Sequence, residues 1–294
     1  MKIIADIGSN FYCTSDLLRS IKVCSICGAD VFKIQYLDMH GVSRSKLYDL
    51  DRIKAECDEH GIEFLASVFD PLDVEVLNPY VDRWKIASCE AKHFPLLRMV
   101  ERTNKPVIIS TGAYESFDHV FGVFLPENVT LLACESEYPS RRMNLKDIDS
   151  FIERYDCDVG LSDHSADIYT TAWAAQRLFG INVVEKHVNP LELTTTPDSG
   201  IFALNGRDFY RYCHFLKTGN YDKREIPYGL PRRNAFAIAD INPGDRLEYG
   251  VNWSFERCLS SDDKNELFDS NEGIMYAISK ISNGTVINAR DIGI

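Results

Sequence analysis

Two apolar segments end on histidine: "DVGLSDH" at His164 and "INVVEKH" at His187. A neutral imidazole offers a nitrogen lone pair to a cation. Two of them, with water or substrate oxygens, make an open site for a divalent metal ion. A single histidine at a strand end is ordinarily a satisfied structural residue, so the metal reading depends on the two meeting in space. Glu90, in "KIASCE", is a candidate base or outer-shell acid beside such a site. Other polar residues end apolar runs in the same way. Lys85, Ser88, Ser110, Thr111 and Ser162 could together cradle a phosphate or a carboxylate. Gln35, Ser136 and Tyr138 also end such runs and are candidates for binding substrate. A different chemistry is open to the lysines. Lys33, Lys85 or Lys186 could form a Schiff base with a carbonyl substrate.

The elements that would bring these residues together are legible. Eight apolar, β-branched runs begin at Lys2, Ala29, Ile62, Arg83, Lys105, Asn128, Cys157 and Ile181. They are nearly continuous rather than alternating, as in strands buried on both faces of a parallel sheet. Helical patterns separate them, among them "LDRIKAECDEHG", "HFPLLRMVERTN", "NLKDIDSFIERY" and "ADIYTTAWAAQRLFG", the last with Gly180 as its stop. A helix over "GRDFYRYCHFLKTG" closes the series. The alternation predicts a (β/α)8 TIM barrel over residues 1–221, with chemistry at the C-terminal strand ends. The first strand is followed by no glycine-rich fingerprint, which argues against a dinucleotide-binding open sheet. Residues 222–231 read as a Gly- and Pro-containing linker. Residues 232–294 read as a small β-rich domain with an internal pseudo-repeat, "KISNG" echoing "DINPG".

Composition narrows the partners. A formal net charge of -12 disfavours nucleic acid and anionic membranes. No apolar run is long enough to span a bilayer, and "MKIIADIGSN" is too short and too soon acidic for a signal peptide. A cytoplasmic protein is the expectation. The nine cysteines then read as reduced thiols. Cys24 and Cys27 form a CxxC, but it lies in a helical pattern with no second pair, and small buried residues are the expected role.

Six motifs occur in order: "KIAS.E" from Lys85, "FPLL" from Phe94, "KPVIISTG" from Lys105, "EYP" from Glu137, "GLSDHS" from Gly160 and "VEKH" from Val184. Together they resemble the N-acetylneuraminate (sialic acid) synthase family, and residues 232–294 resemble its small antifreeze-like (SAF) domain. The resemblance implies a transferase that condenses phosphoenolpyruvate with an N-acylated amino sugar aldehyde of the N-acetylmannosamine type. The products are a nonulosonic 2-keto-3-deoxy acid and phosphate. It implies a divalent ion, Mn2+ or Mg2+, on His164 and His187, and no organic cofactor. It assigns Glu90 to water activation, and Lys33, Lys85, Ser88, Ser110, Ser136, Ser162 and Lys186 to phosphoenolpyruvate. It matches Asp198 of "TTPDSG" to the sugar's hydroxyls. It also implies a domain-swapped homodimer, in which Arg257 of "FERCL" reaches the partner's sugar. The family usually opens "AEIGxNHxG", whereas this chain has "ADIGSNFYC", with Asp6 for Glu, Phe11 for a polar residue, and a shorter loop after "KIQ". These departures point to a changed acceptor, a smaller or less polar aldose. A Schiff-base pyruvate aldolase and a catalytically silent sugar-acid-binding paralogue are the other readings.

Overall fold

The computed structural model describes residues 1–141, 145–177, 180–219, 232–258, 275–285, 287 and 291–293. Backbone contacts divide the chain at Tyr221/Asp222 into two compact units. The first unit runs β1 (Lys2–Asp6), α1 (Thr14–Cys27), β2 (Val31–Gln35), α2 (Arg44–Leu47), α3 (Leu50–Glu59) and β3 (Glu63–Ser67). It continues with α4 (Asp73–Leu77), β4 (Trp84–Ile86), α5 (Phe94–Glu101), β5 (Val107–Ser110), α6 (Asp118–Phe121) and β6 (Val129–Cys134). Then come α7 (Lys146–Tyr155), β7 (Asp158–Asp163), α8 (Thr170–Arg177), β8 (Ile181–His187) and α9 (Gly206–Thr218). All eight strands are parallel and close into a barrel, β8 pairing with β1. This is the (β/α)8 architecture that the alternation predicts. The repeat is uneven where the chain is short: α4 has five residues and α6 four.

Local sequence explains the helix ends. α1 buries Leu17, Ile21 and Cys24 on one stripe and stops at Gly28, whose φ of 99° suits glycine. Asp49 accepts from the Arg52 amide to cap α3, and Asn205 accepts from the Asp208 amide to cap α9. Cys24 and Cys27 both lie in the core. Burial raises the Cys24 thiol well above its usual pKa and pushes Cys27 up to about 11. Both are inert packing residues.

Side-chain alternation along the strands sorts the barrel into layers. Ile4, Val31, Leu65, Ile108, Leu132 and Val183 form a closed apolar cluster inside the barrel. Their strand neighbours, such as Ile3, Ala5, Phe32, Phe64, Ile109 and Val184, face outward into the larger core beneath the helices. One step further toward the C-terminal ends, the inward side chains turn polar. At the bottom of β7 the register shifts between Val159 and Gly160. A Cβ on Gly160 would stand 2.4 Å from the Val183 carbonyl oxygen and 2.6 Å from Leu132 Cδ2.

The second unit pairs β9 (Arg232–Ala237) antiparallel with β10 (Trp253–Cys258), and β11 (Tyr276–Ala277) with β12 (Ile292–Gly293). Its core includes Ala235, Ile241, Leu247, Trp253, Ala277, Ile281 and Ile287. The "DINPG" and "KISNG" repeats meet face to face. Ile241 and Ile281 exchange two backbone hydrogen bonds of 2.9 Å. The Gly244 amide donates to Ala277 and the Gly284 amide to Ala237, each at 2.7 Å. The sequence echo is thus a local pseudo-twofold. The proposed linker, 222–231, lies outside the described residues.

The Gly160 site gives a direct test of barrel packing. Gly160→Ala should destabilise the protein by about 1–3 kcal/mol through overpacking against backbone. Urea unfolding of the two proteins measures it.

Candidate active site

The C-terminal end of the barrel is floored by buried charge. From β1, β2, β4 and β8 respectively, Asp6, Lys33, Lys85 and Glu185 all point inward, and each is at least 97% buried. Lys33 Nζ lies 2.7 Å from Asp6 Oδ2 and 3.6 Å from Glu185 Oε2. It also donates to Ser67 Oγ at 3.2 Å. Lys85 Nζ donates to Ser110 Oγ at 2.6 Å and lies 3.7 Å from Glu185 Oε1. The two cations therefore differ. Burial opposes the charge of Lys33, but the Asp6 and Glu185 carboxylates outweigh it and raise its pKa. Burial prevails at Lys85, whose pKa is lowered. Burial also opposes the Asp6 charge, yet Lys33 and then His187 hold its carboxyl well below the usual range. Lys33 is locked in an ion pair, and Lys85 is the cation with the looser partner.

The histidines sit on this floor. His164 and His187 have ring centroids 5.5 Å apart, so the two strand ends do bring them together. His164 Nδ1 lies 2.6 Å from the Glu135 carbonyl oxygen, which can only accept. Nδ1 therefore carries the proton, and Nε2 presents a lone pair toward Ser162 Oγ at 3.2 Å and the Tyr138 hydroxyl at 3.3 Å. Burial, reinforced by the neighbouring His187, pushes the His164 pKa down to about 3, so the ring is neutral at pH 7. His187 Nε2 lies 3.4 Å from Asp6 Oδ2. Its Nδ1 is buried with no hydrogen-bond partner. Two adjacent imidazoles, one with a buried nitrogen that no protein group satisfies, fit a cation-binding pair. Among the described residues no three His, Cys, Asp or Glu side chains converge to hold a metal ion. Two imidazoles would leave the other coordination positions to water and substrate oxygens.

Aromatic rings wall this region. Tyr138 stacks on His164 with centroids 4.1 Å apart, and Phe202 stands edge-on to His187 at 5.4 Å. The loops after β1 and β8 are tied together beside them. The Ser9 amide donates to Asp198 Oδ2 at 2.7 Å, and the Asp198 amide donates to Ser9 Oγ at 2.9 Å. Gly8, with φ of 52°, lies between them and the imidazole. A Cβ there would sit 2.5 Å from Asp198 Oδ2 and 3.2 Å from His187 Nδ1. Asp198 is thus brought close to His187.

The hydroxyl-rich residues divide. Ser110 belongs to Lys85, and Ser162 donates to Glu185 Oε1 at 3.0 Å. Gln35 donates to Asp6 Oδ2 at 3.5 Å. Ser88 and Ser136 gather at the next two strand ends, around Gly112. The Gly112 amide donates to Ser88 Oγ at 3.1 Å, and a Cβ on Gly112 would stand 2.5 Å from Ser136 Oγ. The same amide lies 3.1 Å from Cys134 Sγ, so a side chain at this position would displace the groups packed around it. Thr111 is spent on backbone, its hydroxyl donating to the Leu132 carbonyl at 3.0 Å.

Other expected members stand apart. Lys186 is a correction. It has the opposite strand parity to Glu185 and His187, so it points behind the sheet, where its Nζ lies 3.0 Å from Asp163 Oδ2. The structure does not bring it to the substrate side. Glu90 follows β4, but its Oε2 faces His93 Nδ1 at 3.1 Å, and neither histidine of the pair is among its hydrogen-bond partners. Phe11, expected at the acceptor side, is fully buried against Tyr48 and His40, so it lines no surface. Arg257 pairs with Arg233 through the β10 backbone, and its side chain lies outside what the structure describes. Asp6 and Glu185 are the members that motif reading passed over as site residues. Asp6 lies two positions after Ile4 and Glu185 two after Val183, both inside the barrel, and strand side chains alternate.

A family model described as the NeuB family matches residues 38–217. The chain belongs to this family. A pseudaminic acid synthase of Campylobacter jejuni is 30% identical over 83% of this chain and 83% of its own length. An N,N'-diacetyllegionaminic acid synthase of the same species is 28% identical over 85% and 82%. A solved N-acetylneuraminic acid (sialic acid) synthetase from Leptospira borgpetersenii superposes with a TM-score of 0.66, covering 76% of this chain and 87% of that one at 23% identity. This NeuB-family chain is therefore an enzyme of the sialic acid synthase type, as its ordered motifs imply. Among its described residues no helix is long and apolar enough to cross a membrane.

The ion-paired floor makes a sharp expectation. Lys33→Met would leave Asp6 and Glu185 buried without their shared cation. It should cost about 3–5 kcal/mol in urea unfolding, far more than substitution of an exposed lysine.

Proposed function

We propose that this enzyme condenses phosphoenolpyruvate with the aldehyde of an open-chain N-acylated amino sugar. The observation that carries this reading is the meeting, at one barrel end, of a loosely paired buried lysine, Lys85, with the imidazoles of His164 and His187. The lysine suits an anionic enol ester, and the imidazoles suit a cation that engages a carbonyl oxygen. Relatives named for pseudaminic, legionaminic and N-acetylneuraminic acids support the class of product and differ in acceptor.

In this reading Lys85, Ser110, Ser88 and Ser136 hold the carboxylate and phosphate of phosphoenolpyruvate. Lys33 acts through the pairing with Asp6 and Glu185 that keeps the floor rigid. His164 and His187 would hold Mn2+ or Mg2+, which would supply Lewis acidity toward the aldehyde oxygen. Asp198 and Tyr138 border the acceptor. The phosphoenolpyruvate methylene carbon forms a bond to the aldehyde carbon, and water adds at C2. Glu90 takes a proton from that water, and a proton completes the hydroxyl on the former aldehyde oxygen; C2 then becomes a ketone as its bond to the phosphate oxygen breaks, and phosphate leaves with the C2 hydroxyl proton. Residues 232–294 serve as the antifreeze-like domain of a homodimer, with Arg257 directed to a sugar.

The acceptor wall is aromatic on the Tyr138–Phe202 side. This favours an aldose that presents an apolar edge there, such as a deoxygenated carbon, over a fully hydroxylated one. A second chemistry has one observation in its favour: burial lowers the pKa of Lys85, which helps an amine act as a nucleophile.

One assay separates these. Phosphate release from phosphoenolpyruvate is measured with manganese across amino sugars and simple aldoses. His164→Ala and His187→Ala should each lower turnover by at least about 100-fold, and EDTA should abolish it reversibly. Activity that survives EDTA, together with a borohydride-trapped adduct on Lys85, would establish the Schiff-base route instead.

A further inference from the structure

We propose that the buried Lys186–Asp163 ion pair is a positioning device that fixes the imidazoles of His164 and His187 from behind the sheet. It builds on the metal reading above but stands on its own geometry.

Asp163 and Lys186 are register partners on β7 and β8. Each directly precedes a histidine, so the outward ion pair and the inward imidazoles occupy opposite faces of the same two strand ends. Both side chains are essentially inaccessible. Every strong contact of the pair is made. Asp163 Oδ2 accepts from Lys186 and, at 3.2 Å, from the Tyr212 hydroxyl on α9. Asp163 Oδ1 accepts from the Ser165 amide at 2.8 Å. Lys186 Nζ donates to the Ser165 carbonyl at 2.5 Å. Ser165 is therefore held at both its amide and its carbonyl.

That residue directly follows His164. The His164 carbonyl in turn accepts from the Ser140 amide at 2.8 Å, which ties in the segment carrying Tyr138. Lys186 thus reaches from β8, one residue before His187, to the carbonyl of the residue immediately after His164. The pair sets the separation of the two rings without touching either. A buried ion pair is a costly way to gain stability, and an apolar pair of similar volume often serves as well. Its directional contacts to both backbone polar groups of one residue argue for geometry instead.

The test compares the full chain with the double variant Asp163→Asn/Lys186→Met. Removing both charges avoids stranding a lone buried ion. Manganese binding is measured by titration calorimetry. Separately, without metal, diethyl pyrocarbonate modification of His164 and His187 is followed by peptide mass spectrometry, with His119 on α6 as the internal reference. The expected result is about 10-fold weaker manganese binding, several-fold faster modification of His164, and an unchanged rate at His119. Equal His164 reactivity in the two proteins overturns the proposal, whatever the metal does. If the parent chain binds no manganese but His164 reactivity still rises, the clamp stands and the metal reading fails. If phosphoenolpyruvate binding is lost while His164 reactivity is unchanged, Lys186 returns to the substrate and the clamp is refuted. Should modification at His119 also rise, signalling general loosening, Tyr212→Phe serves in its place. It removes one hydrogen bond to Asp163 and should raise His164 reactivity in the same direction by less; no rise refutes the clamp.

Discussion

The interaction on which the site depends is the ionic layer of Asp6, Lys33, Glu185 and Lys85 inside the barrel. Its formal charges cancel, and each member is cut off from water. In such surroundings an unpaired charge is costly, so each group holds its neighbours in place. The layer lies directly above the apolar plug of Ile4, Val31, Leu65, Ile108, Leu132 and Val183. The plug excludes water from below and makes the pairing tight. The layer then gives the strand ends a rigid, polar floor. His187 leans on Asp6, and Ser162 leans on Glu185 beside His164.

The same floor distinguishes two lysines that look alike in sequence. Lys33 has a carboxylate at 2.7 Å and is held in a tight ion pair. Lys85 has its nearest carboxylate at 3.7 Å and a serine hydroxyl at 2.6 Å. Its charge is the one more readily turned toward an arriving anion. Glycines complete the arrangement by leaving space. Gly112 lets Ser88, Cys134 and Ser136 crowd together, and Gly8 lets the first loop pass between Asp198 and His187.

The departures in "ADIGSNFYC" take on a different meaning in three dimensions. Phe11 is core, packed against Tyr48, rather than a lining residue. Asp6 is a partner of Lys33 and His187 rather than a free acid reaching for substrate. The rings that wall the histidine pair are instead Tyr138 and Phe202, which stand on different loops.

Much of this was legible in the chain alone. Eight doubly buried strands separated by helices specify a closed parallel barrel, because continuous apolar runs can be satisfied only with packing on both faces. Position at strand ends then marked Lys33, Lys85, Ser110, Ser162, His164 and His187, all of which the barrel brings to one end. Motif order sufficed to place the chain in its family. What sequence left undecided was direction. In "SDH" and "EKH" every residue is polar, so hydrophobic alternation cannot say which ones face the lumen. Closure of the sheet decides it: His164, Glu185 and His187 turn inward, and Asp163 and Lys186 turn outward to each other. Pairing was equally hidden, since Asp6 and Lys33, or Glu90 and His93, find one another only through register and loop path. Side-chain type is written in the chain, but which charges neutralise each other depends on distances that exist only after the barrel has closed.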